Sequence, residues 1–499
     1  MPAELSAPCP IHRHALARPD ALALWAPERR WTYTELDAAI AATCVRLRDA
    51  GLPDGSRVAL RLHRGPDLII LLWALWRTGH VAMPLSMRLP AAEARRTAQR
   101  MGAQLLVTRD STLLGDEEGG LMTCSPDRLV EREGEGTPDP SPRPIHRRAT
   151  LVFTSGSTGT PTGVLHSWAN HLYSAKGSNA NLPLRPERSA GSGCDRVLSE
   201  YEEVVSGLRP GDRWLQSLPL YHVGGLAILV RSALAGAAVA VPDRDASVST
   251  ALNATGATHL SLVATQLRRL LDAQDGPLPR RVQGILLGGG PLPEALLRRG
   301  HARGWPLLTS YGSTEMASQV TTTTPGAPLA DLRTAGRCLL HRRLRIDDDG
   351  QILVAGATLC LGIAEADRVR DPRVNGWYPT GDLGHVDSQG RLHVEGRADR
   401  QFVSGGENIQ PEEIEAALER LDGIERAVVV PVPNEEYGKR PVAFVQSTTG
   451  TVPDHWRDAL AAELPRFKLP DAVHELPDAA VRDRMKVDRG SLSRRAREM

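Results

Sequence analysis

The sequence predicts an α/β protein, with a large N-terminal α/β domain of several subdomains joined to a small α+β domain. Three observations carry that prediction. Short apolar runs alternate with helix-like segments through most of the chain, the rhythm of a largely parallel sheet. One of those runs, Thr150 to Phe153, empties into a loop of small hydroxyl-bearing and glycine residues. Beyond Gly336 the alternation gives way to strands separated by Asp-Gly and Gln-Gly turns, and from Asp399 to a compact α+β segment.

The elements follow in chain order. Trp31 to Arg48 fits a helix with Thr34 as its N-cap. Gly51-Leu-Pro-Asp-Gly55 is a turn, Val58 to Leu62 a strand, and Pro66 to Thr78 a mostly buried helix. His80 to Pro84 is extended, Pro90 to Met101 a polar helix, and Leu105 to Thr108 a strand. The stretch 116–144, acidic and then Pro-rich, reads as a loop. After the hydroxyl-rich loop comes a helix over Trp168 to Ala180, and 183–207 is a charged insertion without periodicity. Strands at Trp214 to Leu218, Ala238 to Val241, His259 to Val263, Gly284 to Leu287 and Leu307 to Ser310 continue the βαβ rhythm, with a helix at Leu226 to Leu234. Leu344 to Ile346, Ile352 to Val354 and Arg391 to Val394 suggest an antiparallel unit. The last segment holds a helix at Pro411 to Leu421, strands at Arg426 to Val432 and Pro441 to Gln446, and a helix at Asp454 to Leu464. The boundary falls at Gly396-Arg-Ala-Asp-Arg400, giving units of 1–398 and 399–499. No fixed-period repeat is present, which excludes a solenoid.

Composition narrows the function. With 499 residues and a net charge of +1, the chain has room for several cores and no global field for nucleic acid or an acidic membrane. The six cysteines lack CxxC or metal-ligand spacing, as expected of free thiols in a reducing compartment. The start carries no charged region followed by an apolar stretch, and the longest apolar run, Leu68 to Trp76, is far short of the roughly 20 residues of a membrane span. The expectation is a cytoplasmic protein without a membrane span, acting on small molecules; a homo-oligomer is compatible with it. Of 60 basic residues only four are lysine, Lys176, Lys439, Lys468 and Lys486, so each lysine is informative.

The chemistry is carried by a series of short motifs. Thr154, Ser155, Gly156, Ser157, Thr158 and Gly159 combine backbone that turns freely with hydroxyl donors, a combination suited to cradling phosphate. No Gly-Lys-Ser/Thr follows, so this is not the Walker pattern, and a plain surface linker has similar composition. Gly288-Gly289-Gly290 after a strand would let a planar ring lie against backbone, or would simply turn the chain. Tyr311-Gly312-Ser313-Thr314-Glu315 gathers an aromatic face, hydroxyls and a carboxylate that suits Mg²⁺ near phosphates. Thr380-Gly-Asp382 places an acid after a turn, suited to two ribose hydroxyls, with the forked cation Arg397 beyond it. Gly405-Gly406-Glu-Asn-Ile409 is a Gly-rich turn entering a helix, and Lys486 sits in a basic, polar C-terminal loop.

Taken together, in this order and spacing, these motifs resemble the adenylate-forming superfamily of acyl-CoA synthetases, peptide-synthetase adenylation domains and luciferases, over nearly the whole chain. The resemblance implies a large N-terminal domain, a mobile C-terminal domain and an active site between them. It implies that Thr154 to Gly159 bind pyrophosphate, that Tyr311 packs on adenine with Gly288 to Gly290, and that Thr314 meets the α-phosphate. Glu315 would ligate Mg²⁺, Asp382 and Arg397 would hold the ribose, and Asp399 would be the hinge. Gly405 and Gly406 would line the pantetheine tunnel, and Lys486 would bridge carboxylate and phosphate. The implied cofactors are ATP and Mg²⁺, with coenzyme A as co-substrate. Two positions depart from the family: Thr162 stands where a loop lysine is usual, and the residues before Lys486 lack the usual Thr-Gly.

Leu218-Pro-Leu-Tyr-His-Val-Gly-Gly225 bears on the acid. Amino-acid-activating members carry Phe-Asp where this chain has Tyr221-His222. His222 could donate to an acyl oxygen or a second carboxylate, or serve only as a structural histidine. With it, Gly312 and Ser313 would line the acid. This stretch, 163–171, 311–320 and 403–411 resemble the o-succinylbenzoate-activating branch more than the coumarate, fatty-acid or acetate branches. The expected reaction is therefore AMP-forming ligation of 2-succinylbenzoate, or another aromatic or medium-chain acid, to CoA. A luciferase-like oxidative enzyme and a non-catalytic nucleotide-binding paralogue are the alternatives, and Thr162 is the feature that favours the second.

Overall fold

A computed structural model describes residues 5–115, 120–132, 141–154, 162–182, 207–365, 368–448, 456–477, 480–482 and 486–499. Among these residues two large sheets form most of the N-terminal part. In the first, Arg57–Arg61, Val81–Pro84, Ala103–Thr108, Met122–Cys124 and Arg148–Thr154 run parallel. Thr162–Ser167, Gly362–Glu365 and Arg368–Arg370 then extend it antiparallel. In the second, Leu22–Trp25, Ala238–Ala240, Arg213–Leu215, His259–Leu262, Gly284–Leu287 and Leu307–Ser313 are parallel neighbours. The alternation of apolar runs and helices in the sequence has this cause: each parallel strand must be reached by a crossover, and here it is mostly a helix.

The helices between the sheets are the most apolar. Pro66–Thr78 buries every residue from Leu68 to Leu75, because sheets cover it on both sides, and Gly79 ends it in the left-handed conformation. The helix expected from Trp31 starts at Tyr33, and its N-cap is Thr32 rather than Thr34. Thr32 wins because Glu35 lies three residues on and closes a reciprocal capping box with it. Within the expected loop 116–144, Met122–Cys124 is a strand on the sheet edge, a pairing that its short span hides.

Four antiparallel strands follow, Arg342–Ile346, Gln351–Gly356, Tyr378–Val386 and Leu392–Arg397. Asp382 thus lies within a strand, not after a turn; glycines at 381 and 384 obscured its period. In the C-terminal part, helix Pro411–Leu418 packs on the hairpin Ile424–Asn434 and Gly438–Ser447, with Ala472–Glu475 parallel to it. Lys486 was expected in a loop; with Val487 it forms a two-residue strand paired with Val481–Arg482. Arg268, on helix Ala264–Ala273, joins the N-terminal part to this one by an ion pair with Glu425 at 3.2 Å. Among the described residues no helix is long and apolar enough to cross a membrane.

Candidate active site

The site is built where parallel strands end. Gly284–Leu287 and Leu307–Ser313 are adjacent, and their carboxyl ends carry Gly288 to Gly290 and Tyr311 to Glu315, the edge at which open α/β sheets bind ligands. A Cβ at Gly288 would lie 2.8 Å from Ser310 Oγ, and Gly289 has φ +85°, so bare backbone is required there. A Cβ at Gly312 would lie 2.1 Å from the Ser318 carbonyl, which fixes that position too. The turn after Glu315 places Ala317 and Ser318 at φ 51° and 114°, backbone strain of the kind found at functional sites.

Residues far apart in the chain meet here. The Tyr311 hydroxyl donates to Asp382 Oδ2 at 2.6 Å; burial, then the Asp382 charge, push this phenol well above its ordinary range. Asp382 and Arg397 are register partners, and Arg397 Nη1 lies 3.3 Å from Asp382 Oδ1 and 3.0 Å from the Thr380 carbonyl. The other edge of the same guanidinium reaches Asp399 Oδ1 at 3.2 Å. One fork therefore ties the expected ribose carboxylate to the expected hinge. Burial, then the nearby Glu315 charge, push the Tyr378 phenol above its ordinary range, and the Glu315 carbonyl accepts from the Cys360 N–H at 2.7 Å. Among the described residues no group of three His, Cys, Asp or Glu gathers as a metal site. A single carboxylate beside a phenol fits Mg²⁺ whose remaining ligands are phosphate and water oxygens.

Thr314 is held from behind. His166 Nε2 lies 2.7 Å from the Thr314 carbonyl, so that nitrogen carries the proton. Burial lowers His166 to about 4, keeping the ring neutral. His171 packs on it at 5.2 Å and Trp76 packs on His171 at 6.2 Å.

The remaining expected residues lie as follows. Thr154 pairs with Thr162 across antiparallel strands, so the strand that enters the phosphate-type loop and the one that leaves it are neighbours. Ser155, Gly156, Ser157, Thr158 and Gly159 lie outside the described residues, as does the Lys486 side chain. His222 is the exposed N-cap of helix Val223–Ala235, its ring tilted on Tyr221 at 4.7 Å. Gly225 lets that helix press on Pro219, whose carbonyl would be 2.0 Å from a Cβ. Gly405 and Gly406, with φ 59° and 89°, turn the hairpin Phe402–Ser404 and Glu407–Ile409; the Gly405 N–H meets the Tyr437 carbonyl at 2.9 Å.

One residue was missed. Arg231 lies fully buried in the helix that His222 caps. Its Nε donates to the Ala227 carbonyl and its Nη2 to Gln319 Oε1 at 3.0 Å, with the guanidinium 4.6 Å from the Trp214 ring centre. Burial, then Arg342, work against its charge, and no carboxylate pairs with it among the described residues. A cation inside the apolar run Leu226-Ala-Ile-Leu-Val-Arg231 was the available signal.

The AMP-binding enzyme family model matches residues 11–363, and the AMP-binding enzyme C-terminal domain matches 413–482. The chain is 31% identical to a 2-succinylbenzoate–CoA ligase of Bacillus pumilus over 485 residues, 94% of either chain. It superposes on o-succinylbenzoate CoA synthetase (MenE) of Bacillus subtilis in complex with OSB-AMP at a TM-score of 0.84, with 28% identity and 98% of both chains covered. The same Bacillus subtilis enzyme with ATP and magnesium gives 0.81, with 28% identity and 95% and 96% covered. A lysine-for-arginine variant of Escherichia coli MenE with bound OSB-AMS gives 0.79, with 26% identity and 98% of both chains covered.

Proposed function

This chain belongs to the AMP-binding enzyme family, and from that premise we propose that it joins 2-succinylbenzoate to CoA through an acyl-adenylate, in menaquinone biosynthesis. A carboxylate oxygen of the acid attacks the α-phosphorus of ATP and pyrophosphate leaves. The CoA thiolate then attacks the acyl carbonyl and AMP leaves. Tyr311 and Gly288 to Gly290 flank adenine, Asp382 and Arg397 hold the ribose, and Thr314 with Thr154 to Gly159 receives the phosphates. Glu315 holds Mg²⁺, which when bound neutralises phosphate charge. Lys486 offsets the repulsion between carboxylate and phosphate in the first step, and Asp399 is the hinge for the second, which Gly405 and Gly406 line. His222, Gly312 and Ser313 line the acid. Units 1–398 and 399–499 are the two bodies that alternate.

Arg231 carries the choice of acid. A buried guanidinium without a carboxylate is costly unless a ligand supplies one, and 2-succinylbenzoate has a second carboxylate to spare. Pyrophosphate release should be fastest with 2-succinylbenzoate and slower with benzoate, coumarate, acetate and fatty acids. Arg231→Gln should raise KM for 2-succinylbenzoate about 30-fold, the value of a buried charge-assisted contact, and leave KM for ATP within about twofold. Preference for a fatty acid would remove the substrate assignment. ATP binding without pyrophosphate release with any acid would favour the non-catalytic paralogue.

A further inference from the structure

A cavity lies at the opposite end of the strand that leads to the phosphate-type loop. Its wall includes Arg148 and Ala149, at the start of Arg148–Thr154, about 20 Å along the strand from Thr154. It opens to solvent on one side. Three indoles shape it: Trp73 and Trp76 lie 5.1 Å apart edge to face, and Trp168 closes the triangle at 5.7 and 5.3 Å. Trp76 and Trp168 are only half-buried.

The charge around these rings has one sign. Five arginines and no acidic side chain line the cavity among the described residues. Arg77 is neutralised by Asp37 behind it, yet its Nη1, like Trp76 Nε1, is buried without an acceptor. Arg147 is half-buried; its backbone is bonded to Pro144 and Trp168, but its guanidinium has no hydrogen-bond or ion-pair partner among the described residues. It is given room by Gly79, where a Cβ would lie 2.8 Å from Arg147 Nη1. A pocket that offers indole faces and unpaired guanidinium donors recognises a flat ring bearing an anion.

We propose that this cavity is a second, non-catalytic ligand site for a planar aromatic carboxylate, with the ring among Trp73, Trp76 and Trp168 and the carboxylate on Arg147. Its distance from the phosphate-type loop keeps its ligand away from the reacting atoms. The test is calorimetric titration of the full chain with 2-naphthoate, alone and with a stable acyl-sulfamoyl adenosine saturating the catalytic site. One 2-naphthoate site should persist in the loaded protein. Arg147→Gln and Trp76→Leu should each weaken it about tenfold or more, and uncharged 2-naphthol should bind about tenfold more weakly, with unfolding midpoints of the variants near that of the parent. The proposal fails if the adenylate analogue abolishes binding, if both variants bind as the parent does, or if naphthol binds as tightly as naphthoate. Should Trp76→Leu unfold the protein, Arg147→Gln and the naphthol comparison decide alone.

Discussion

The neutral ring of His166 donates from Nε2 to the carbonyl of Thr314 at 2.7 Å, fixing the backbone of the residue assigned to the α-phosphate. The two residues are 148 positions apart. His166→Ala would leave that carbonyl with only the Ala317 N–H as donor, and a hole beside His171. It should lower stability by about 2–4 kcal/mol and slow acyl-adenylate formation more than thioester formation from supplied acyl-adenylate. Urea titration and the two half-reactions, assayed separately, measure both effects; equal loss of the two would remove the positioning role.

The same histidine sets an acid limit. Its folded value is about 4 against 6.5 in the free side chain, because burial disfavours the cation. As pH falls, the unfolded chain takes up the proton first, so this stabilisation is complete above about 6.5 and is lost between there and about 4. Stability of the parent should fall with acid more steeply than that of His166→Gln, by up to about 1.4 kcal/mol per pH unit. Denaturant midpoints at neutral and mildly acidic pH give the difference, and parallel profiles would contradict it.

Tyr311 and Asp382 should behave as one unit toward ATP. The phenol occupies one lone pair of Asp382 Oδ2 and orients the carboxylate, leaving other lone pairs for ribose hydroxyls. Tyr311→Phe should raise KM for ATP about fivefold, the loss of roughly one hydrogen bond, with KM for the acid unchanged. A lowered KM for ATP would mean that the phenol competes with the ribose instead.

Thr162 stands across the hairpin from Thr154, whose hydroxyl lies 3.5 Å from the Thr162 carbonyl. Thr162→Lys should fold normally and lower KM for ATP about fivefold, a charge-assisted contact weakened by solvent. Abolished turnover would show that the loop works only around threonine.

Lys486 separates the two half-reactions. Lys486→Ala should cut acyl-adenylate formation about a hundredfold, the loss of a charge-assisted contact in the transition state. Supplied acyl-adenylate and CoA should still give thioester within about twofold of the parent rate, since positioning dominates that step. Equal loss in both would assign Lys486 to folding, and no loss in either to the surface.

By itself the sequence determined the elements whose cause is local. Pro66–Thr78 was legible to the residue because Pro opens it, Gly79 closes it and apolar residues fill it. Trp168–Ala180 and Gly284–Leu287 were legible for similar reasons, and the ordered motifs supplied the candidates for a nucleotide site. Tertiary structure decided what depends on residues distant in the chain. Asp382 became a strand residue because Arg397 pairs opposite it, a relation that no local period records. The strands on either side of the phosphate-type loop became neighbours because Thr162–Ser167 returns against Arg148–Thr154 instead of crossing over as a helix. Arg231 drew no reading until its burial without a carboxylate among the described residues set it apart, and His166 none until its ring met Thr314. Burial and partnership arise only when the chain closes on itself, and they turn an ordinary side chain into a site residue.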